Sequence, residues 1–381
     1  YAIVFNDPAA VANAVNLGTF TLTVSGSVVF NGSSGAGDSA LTVGDGTLNA
    51  GAVTINGGAS TGNSLVSIST GIANITSSIR FIGAATTARL TFTGAGIVNV
   101  GGNFTSGGTL ATFAGSAINF NGTSAQSAGS YTTYDVFKVN NQAGVTLLGA
   151  ITVNTLRIGD ITPSSVLNSG TFNITGNAGG AMTMSAGSIL YLGETTSATA
   201  VAFPSAFANI TLDSTSTVVY RANVTQTISG APAYGNLTLL TGAAASTKAL
   251  GAAVTVNGNL TINPNVVLAN ASRTITVAGN YTNNGTHNGI GAKILSGAGA
   301  TIDGTGSIAV SSFILTNNKT VLSLANLTFA VPISVSAATT VTNSGTITSN
   351  STLNGVDATT SRWVQGAGST LNYNNAAALM A

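Results

Sequence analysis

Cysteine is absent from the 381-residue chain, which excludes disulfides and thiolate metal sites and is compatible with an exported protein held together by packing alone. Charge is scarce as well. Asp, Glu, Lys and Arg together make up 5 % of the residues, against about 25 % in ordinary soluble domains. Ten Lys and Arg against nine Asp and Glu leave a formal net charge of +1, so almost no electrostatic repulsion keeps copies apart. The ten cations, from Arg80 to Arg362, are spread singly, whereas a nucleic-acid surface gathers them on one face; nucleic acid is set aside as a partner. Long apolar runs are missing despite a mean hydropathy of +0.42. Gly, Asn or Thr interrupts every few positions, so no stretch approaches the roughly 18 residues of a spanning helix. Barrel strands of about 9 to 11 residues with aromatic girdles are not matched either: the alternating runs are shorter, and aromatics are 6 %.

What is present is one phrase, repeated from end to end. A short run alternating apolar residues with Thr, Ser or Asn meets a Gly or Asn-Gly break, and another such run follows. Val254-Thr255-Val256-Asn257-Gly258-Asn259-Leu260-Thr261-Ile262 is the clearest copy, with Ile275-Thr276-Val277-Ala278-Gly279-Asn280-Tyr281-Thr282 a close relative. In each run the apolar residues fall on one face and the Thr residues on the other, the period of two that defines a strand. The Asn-Gly breaks, among them Asn121-Gly122, Asn257-Gly258 and Asn288-Gly289, are expected to supply positive φ at corners. Asn-Gly alone would also suit antiparallel hairpins. The brevity of the runs, the persistence of the spacing and the shortage of charge to protect separate sheet edges favour a parallel coil.

A longer period is superimposed. Ile118-Asn119-Phe120 leads through Gln126 and Tyr134 to Ile151-Thr152-Val153, and about a hundred residues later Val218-Val219-Tyr220 leads through Gln226 and Tyr234 to Val254-Thr255-Val256. The order of landmarks is the same, which marks a duplicated super-repeat of several coils. The expected fold is therefore all-β, a parallel β-helix or β-solenoid; at roughly 20 residues per coil it would have roughly 18 rungs. One helix is predicted, over Asp7-Pro8-Ala9-Ala10-Val11-Ala12-Asn13-Ala14-Val15, with Asp7 as cap and Pro8 at the first helical position. It would cover the first exposed rung. The expected organisation is an N-terminal strand and capping helix in 1–18, a continuous solenoid in 19–375 and a tail in 376–381. A start at Tyr1-Ala2-Ile3 is what removal of a signal peptide, or a fragment of a longer protein, would leave.

Asn259-Leu260-Thr261-Ile262, Tyr234-Gly235-Asn236-Leu237-Thr238-Leu239, Ala278-Gly279-Asn280-Tyr281-Thr282 and Arg362-Trp363-Val364-Gln365 resemble the repeats of large secreted bacterial surface proteins, notably adhesin-like β-solenoid proteins of Bacteroidetes and related phyla. The resemblance runs from about Thr19 onward. It implies an extracellular structural or adhesive role and brings no catalytic residue with it.

Chemistry-bearing residues are few. The carboxylates are Asp7, Asp38, Asp45, Asp135, Asp160, Glu194, Asp213, Asp303 and Asp357. No Asp-Asp or Asp-x-Asp pair occurs among them, so the carboxylate pair of a glycosidase could arise only between rungs; turn positions explain them more simply. His287, the only histidine, sits in Asn284-Gly285-Thr286-His287-Asn288-Gly289, a loop-like composition that predicts an exposed polar side chain. No enzyme activity, metal or cofactor is implied. Thr-x-Thr segments such as Thr274-Ile275-Thr276 could align as ladders, and the Asn-x-Thr triplets, Asn74-Ile75-Thr76 among them, read equally as glycosylation acceptors or as strand repeats.

The ends carry the sharpest functional expectation. Tyr1-Ala2-Ile3-Val4-Phe5 is apolar on both faces, and the C-terminal Trp363, Leu371, Tyr373 and Leu379 carry no charged cap. Tyr1, Ile3, Val4, Phe5, Trp363, Leu371, Tyr373 and Leu379 are accordingly the candidate subunit interface. Copies would join head to tail by stacking or strand donation, a contact that does not close and so builds a filament. The expected function is a self-assembling structural subunit at a bacterial cell surface, with the chain itself as partner and surface glycans as a second partner class. A monomeric adhesin stalk is the alternative reading, and a carbohydrate-active β-helix enzyme comes third.

Overall fold

Alternation of apolar and hydroxyl residues does become strand, and the strands pile up in parallel. The computed structural model describes residues 1–6, 13–32, 35–58, 61–354 and 362–374. Every regular element among them is a β-strand, arranged as a parallel β-solenoid of about 16 turns. The predicted 18 rungs are too many because the turns are longer than 20 residues over much of the chain. The amides of Asn49 and Asn74, which meet between successive turns, are 25 residues apart, while Asn259 and Asn280 are 21 apart. The predicted capping helix is corrected as well. Its first part, 7–12, lies outside the described residues. Its last part belongs to the strand Asn13–Asn16, paired in parallel with Ser39 to Thr42; pairing with the next turn outweighs the helix preference of alanine there.

The chain forms two compact units, Tyr1–Ile189 with Pro204–Ile210, and Leu190–Phe203 with Thr211–Ala381. In unit one the longest wall begins at Ile3–Phe5 and passes through Thr21–Phe30, Thr47–Gly57, Ile72–Ile75 and Ile97–Val100 to Ala117–Phe120 and beyond. A five-stranded wall runs from Asn13–Asn16 to Thr109–Ala111. In unit two each turn contributes three strands. The walls pass through Thr217–Tyr220, Gln226–Ile228 and Ala233–Tyr234 and end at Arg362–Gln365, Thr370–Tyr373 and Leu353–Asn354.

Inward residues repeat on the same column from turn to turn, so each core is a stack of thin layers. In unit one Phe104 lies against Tyr131 at 5.3 Å between ring centres, Tyr134 against Phe137 at 4.9 Å and Phe137 against Phe120 at 5.0 Å. In unit two Tyr281, Phe313 and Phe329 form a similar run, at 5.7 and 5.0 Å. Stability of this kind is a sum over neighbouring layers.

The signature phrase Gly-Asn-Leu/Tyr-Thr has a structural cause. Asn236 Oδ1 accepts the backbone N–H of Asn259, and Asn259 Oδ1 accepts that of Asn280, at 2.9 and 2.8 Å. The corner amide thus caps the strand start of the following turn. The preceding glycine is there for close approach. A Cβ at Gly258 would stand 2.7 Å from the Gly235 carbonyl oxygen, and one at Gly279 would stand 2.4 Å from that of Gly258. Positive φ, expected at all Asn-Gly corners, holds at Gly289 (φ +127°) and at neither Gly122 nor Gly258. Gly279→Ala must push two stacked backbones apart. It is expected to cost about 1–3 kcal/mol, read as a lower urea midpoint with the β-sheet circular dichroism retained.

The super-repeat is reproduced atom for atom at its landmarks. Gln126 Oε1 accepts the N–H of Gly122, and Gln226 Oε1 that of Ala222, both at 2.9 Å. Tyr134 donates its hydroxyl to the Gly129 carbonyl, and Tyr234 to that of Ser229, both at 2.8 Å. Each unit therefore contains one copy of the same polar corner.

Candidate functional site

At the N-terminal turn, Ile3, Val4 and Phe5 pair in parallel with Val28, Val29 and Phe30. Val28 and Phe30 are fully buried, so Ile3 and Phe5 continue inward columns and Val4 points outward. The rings of Phe5 and Phe30 lie parallel at 4.6 Å. Tyr1 is wholly exposed, tied down by its carbonyl, which accepts the N–H of Gly26 at 2.9 Å, and by its ammonium, which donates to Ser25 Oγ at 3.2 Å. On the neighbouring wall Val15 pairs with Leu41. Leu41 is fully buried, yet Val15 in the same inward column is 42 % exposed. Ile3–Phe5 and Asn13–Asn16 are edge strands, with none beyond them among the described residues.

The C-terminal turn has the same construction. Trp363 pairs with the buried Val341, Leu371 with the buried Ile347, and Tyr373 with Ser349. All three extend inward columns, and all three are only half-buried. Trp363 Nε1 donates to Gln365 Oε1 at 3.3 Å, an oxygen that also accepts the Asn343 amide at 2.8 Å. Val364, next to Trp363, points outward and is exposed. Arg362–Gln365 and Thr370–Tyr373 are the edge strands of their walls among the described residues.

Of the eight residues predicted as interface, Ile3, Phe5, Trp363, Leu371 and Tyr373 thus occupy core columns of terminal turns, and Tyr1 and Val4 lie on the outside. Leu379 falls outside the described residues. The N-terminal set belongs to unit one and the C-terminal set to unit two.

The carboxylates are corner acceptors. Asp38 accepts the backbone N–H of Asn63 one turn later at 2.7 Å, and Asp45 accepts the Thr70 hydroxyl at 2.7 Å. These hydrogen bonds hold the Asp45 carboxyl below its ordinary pKa, as those of Thr215 do for Asp213. Glu194 pairs with Arg221 at 2.9 Å. Among the described residues no three His, Asp or Glu side chains stand close enough to hold a metal ion. The Thr ladders are short: outward positions on one wall of unit two run Thr286, Ser307, Thr328, Thr348, Asn372.

His287 is not the exposed loop residue its neighbours predict. It is fully buried in the strand Thr286–Asn288, in register with Leu268 and Ile308. The Asn270 amide donates to the Gly291 carbonyl, so its Oδ1 accepts from His287 Nε2 at 2.5 Å. That leaves Nδ1 to accept the Tyr281 hydroxyl at 3.0 Å. The ring is neutral in this arrangement, and burial, followed by the nearby Lys293, pushes its pKa well below the usual value.

Three lysines are buried with it in unit two. Lys248 Nζ donates to the carbonyls of Ala222 and Val224 and to Gln226 Oε1. Lys319 Nζ is surrounded by the carbonyls of Gly297, Thr316 and Asn317. Lys293 has one carbonyl, that of Ile294 at 3.4 Å, and the face of Tyr281 at 5.0 Å. Burial lowers the pKa of Lys248 and Lys319 to about 8 and holds that of Lys293 well below its ordinary value.

A scan against protein-family models and searches of curated proteins and of solved structures find no match to this chain.

Proposed function

We propose that the chain is a non-catalytic structural subunit of a bacterial surface, secreted and joined end to end, the first turn of one copy stacking on the last turn of the next. The observation that carries this reading is the opening of the core columns at both terminal turns. Val15 is 42 % exposed in a column whose next member is fully buried, and Trp363 and Leu371 are half-buried beside fully buried partners. A further parallel turn on either edge would bury these side chains and pair the edge backbone, as every interior turn does. The near-neutral surface opposes such contact only weakly. The repeat phrases shared in texture with secreted adhesin-like solenoids support a place outside the cell.

Electron microscopy and light scattering of the purified chain test the reading. Filaments lengthening with protein concentration are expected, and the double variant Val4→Lys with Val364→Lys should be monomeric while keeping its β-sheet spectrum. Both valines point outward on edge strands, where lysine discourages pairing without entering the core. A wild-type chain that stays monomeric at every concentration would overturn end-to-end assembly and favour an adhesin stalk, in which flanking turns of the same polypeptide cover the two edges.

A further inference from the structure

One surface of unit one carries a regular array of amides. Asn74 donates to Asn49 Oδ1 at 2.9 Å, Asn99 to Asn74 at 2.8 Å, Asn119 to Asn99 at 2.8 Å and Asn140 to Asn119 at 2.7 Å. Each amide spends one N–H on the ladder. The half-buried Asn74 and Asn99 keep a second N–H and an oxygen lone pair for solvent.

Two adjoining depressions lie along this ladder. The first, of about 260 Å³, is lined by Asn74, Thr76, Asn99, Asn121 and Thr123. The second, of about 200 Å³, is lined by Asn121, Thr123, Asn140, Gln142 and Thr162. They share Asn121, Gly122 and Thr123, so they form one groove crossing successive turns. Its floor is kept low by backbone contact: a Cβ at Gly101 would stand 2.4 Å from the Thr76 carbonyl oxygen, and one at Gly122 would stand 2.2 Å from that of Gly101. Asn121 and Thr123 are exposed on its rim.

We propose that this groove binds an uncharged, hydroxyl-rich linear chain, that is, a neutral glycan. The chemistry of the lining excludes the other classes. No carboxylate or cation lines it, and the ions beyond its far end are engaged with one another, Asp160 taking Lys138 at 3.3 Å, Arg157 at 3.8 Å and the Asn140 amide at 2.8 Å. An apolar ligand would strip water from amides and hydroxyls without replacing their hydrogen bonds. An added peptide strand would need a free edge, and the strands Ile97–Val100 and Ala117–Phe120 beneath the groove are paired on both sides. What remains is a ligand that both donates and accepts along its length, as sugar hydroxyls do toward amides. From the turn of Asn74 to that of Thr162 the groove crosses four rung spacings, about 19 Å at ~4.8 Å each, which suits an oligosaccharide better than a single sugar. Nothing in this proposal depends on end-to-end assembly.

Isothermal titration of the purified chain with cellohexaose, maltohexaose and laminarihexaose tests it, with hexagalacturonate as the charged comparator. At least one neutral hexaose should bind, and Asn121→Ala with Thr123→Ala should weaken it at least about tenfold. Neither side chain belongs to the ladder, so the unfolding midpoint should stay unchanged. The control Asn372→Ala, on an outer face of unit two, should bind as wild type does. Absence of binding of all three hexaoses at millimolar concentration, equal binding by the double variant, or a preference for the acidic oligomer would each overturn the proposal.

Discussion

Lys293→Met is expected to stabilise unit two by about 2–4 kcal/mol near neutral pH and to remove much of its pH dependence. Lys293 is fully buried with one long carbonyl contact and an aromatic face for company. The groups around it offer no negative charge. Tyr281 and His287 are neutral, Asp303 on the adjacent strand Ala300–Asp303 is turned outward and takes the Gly304 N–H, and Arg273 is exposed. The amine is therefore held neutral, its pKa pushed well below the ordinary lysine value by burial. The sign of the linkage follows. Above the unfolded pKa of about 10.4 both states carry a neutral amine and folding is unpenalised. As pH falls, the unfolded lysine takes a proton that the folded one refuses, and stability drops by about 1.4 kcal/mol per pH unit until the folded pKa is reached.

Lys248 and Lys319 add to this loss only down to about pH 8, where their folded forms also protonate. Below about pH 6.5 His287 adds a loss of its own, because its folded pKa is depressed. At the alkaline end the buried Tyr281, with its pKa raised, reverses the trend above about pH 10. Wild type should thus be most stable in mild alkali and weaken steadily toward acid. Urea denaturation at about pH 9, 7 and 5 reads the slope, and hydrogen exchange over Ala292–Leu295 localises it. A Lys293→Met protein no more stable than wild type near neutrality, or one with the wild-type slope, would show that the amine is charged and compensated in the folded state.

The position of these lysines was legible in the sequence, though their burial was not expected of that residue type. In Ser246-Thr247-Lys248-Ala249-Leu250 the parity of the strand puts Lys248 on the same side as Leu250, and in Lys293-Ile294-Leu295 it puts Lys293 with Leu295. Parity is a property of the backbone and overrides the usual preference of lysine for water. The same reasoning exposes the error about His287: a stretch of Asn, Gly and Thr reads as loop, but Thr286 and Asn288 are the outward members of a three-residue strand whose centre is the histidine. The Asn ladder could also have been found, since Asn49, Asn74 and Asn99 recur between apolar neighbours at a single spacing, which the structure fixes as 25 residues. The capping helix was not resolvable from local sequence. Asn13-Ala14-Val15-Asn16 has helix-compatible residues, and only its partner Ser39 to Thr42, more than twenty positions away, makes it a strand.

Gln226→Ala is expected to be the most damaging single substitution in unit two, at about 3–5 kcal/mol from two orphaned buried groups and a cavity. The side chain closes four hydrogen bonds at once. Its Nε2 donates to the carbonyls of Leu192 and Val201 at 3.1 and 2.8 Å, and its Oε1 accepts the Ala222 N–H and the Lys248 amine, both at 2.9 Å. Alanine leaves the Val201 carbonyl without a donor and the Ala222 N–H without an acceptor, while the Leu192 carbonyl keeps the Arg221 N–H at 3.0 Å and Lys248 keeps the carbonyls of Ala222 and Val224. Gln226→Glu isolates the contributions. It restores an acceptor and sets a carboxylate against Lys248, but it has no N–H for Leu192 and Val201, so a deficit of about 1–3 kcal/mol should remain. The duplicated corner supplies the matching case. Gln126 donates to the carbonyls of Val100 and Gly102 and accepts from Gly122 and Asn141, so Gln126→Ala should weaken unit one to a similar degree. Asn141 retains the Ser124 carbonyl at 2.8 Å, as Lys248 retains its two carbonyls, but it carries no charge, so the penalty there should be the smaller of the two. Urea midpoints of the three variants, with hydrogen exchange over Gln226–Ile228 and Gln126–Ala128, measure both corners. A loss below about 1 kcal/mol in Gln226→Ala would mean that the Val201 carbonyl and the Ala222 N–H find other partners, and that the repeated glutamine is a relic of duplication with no structural duty.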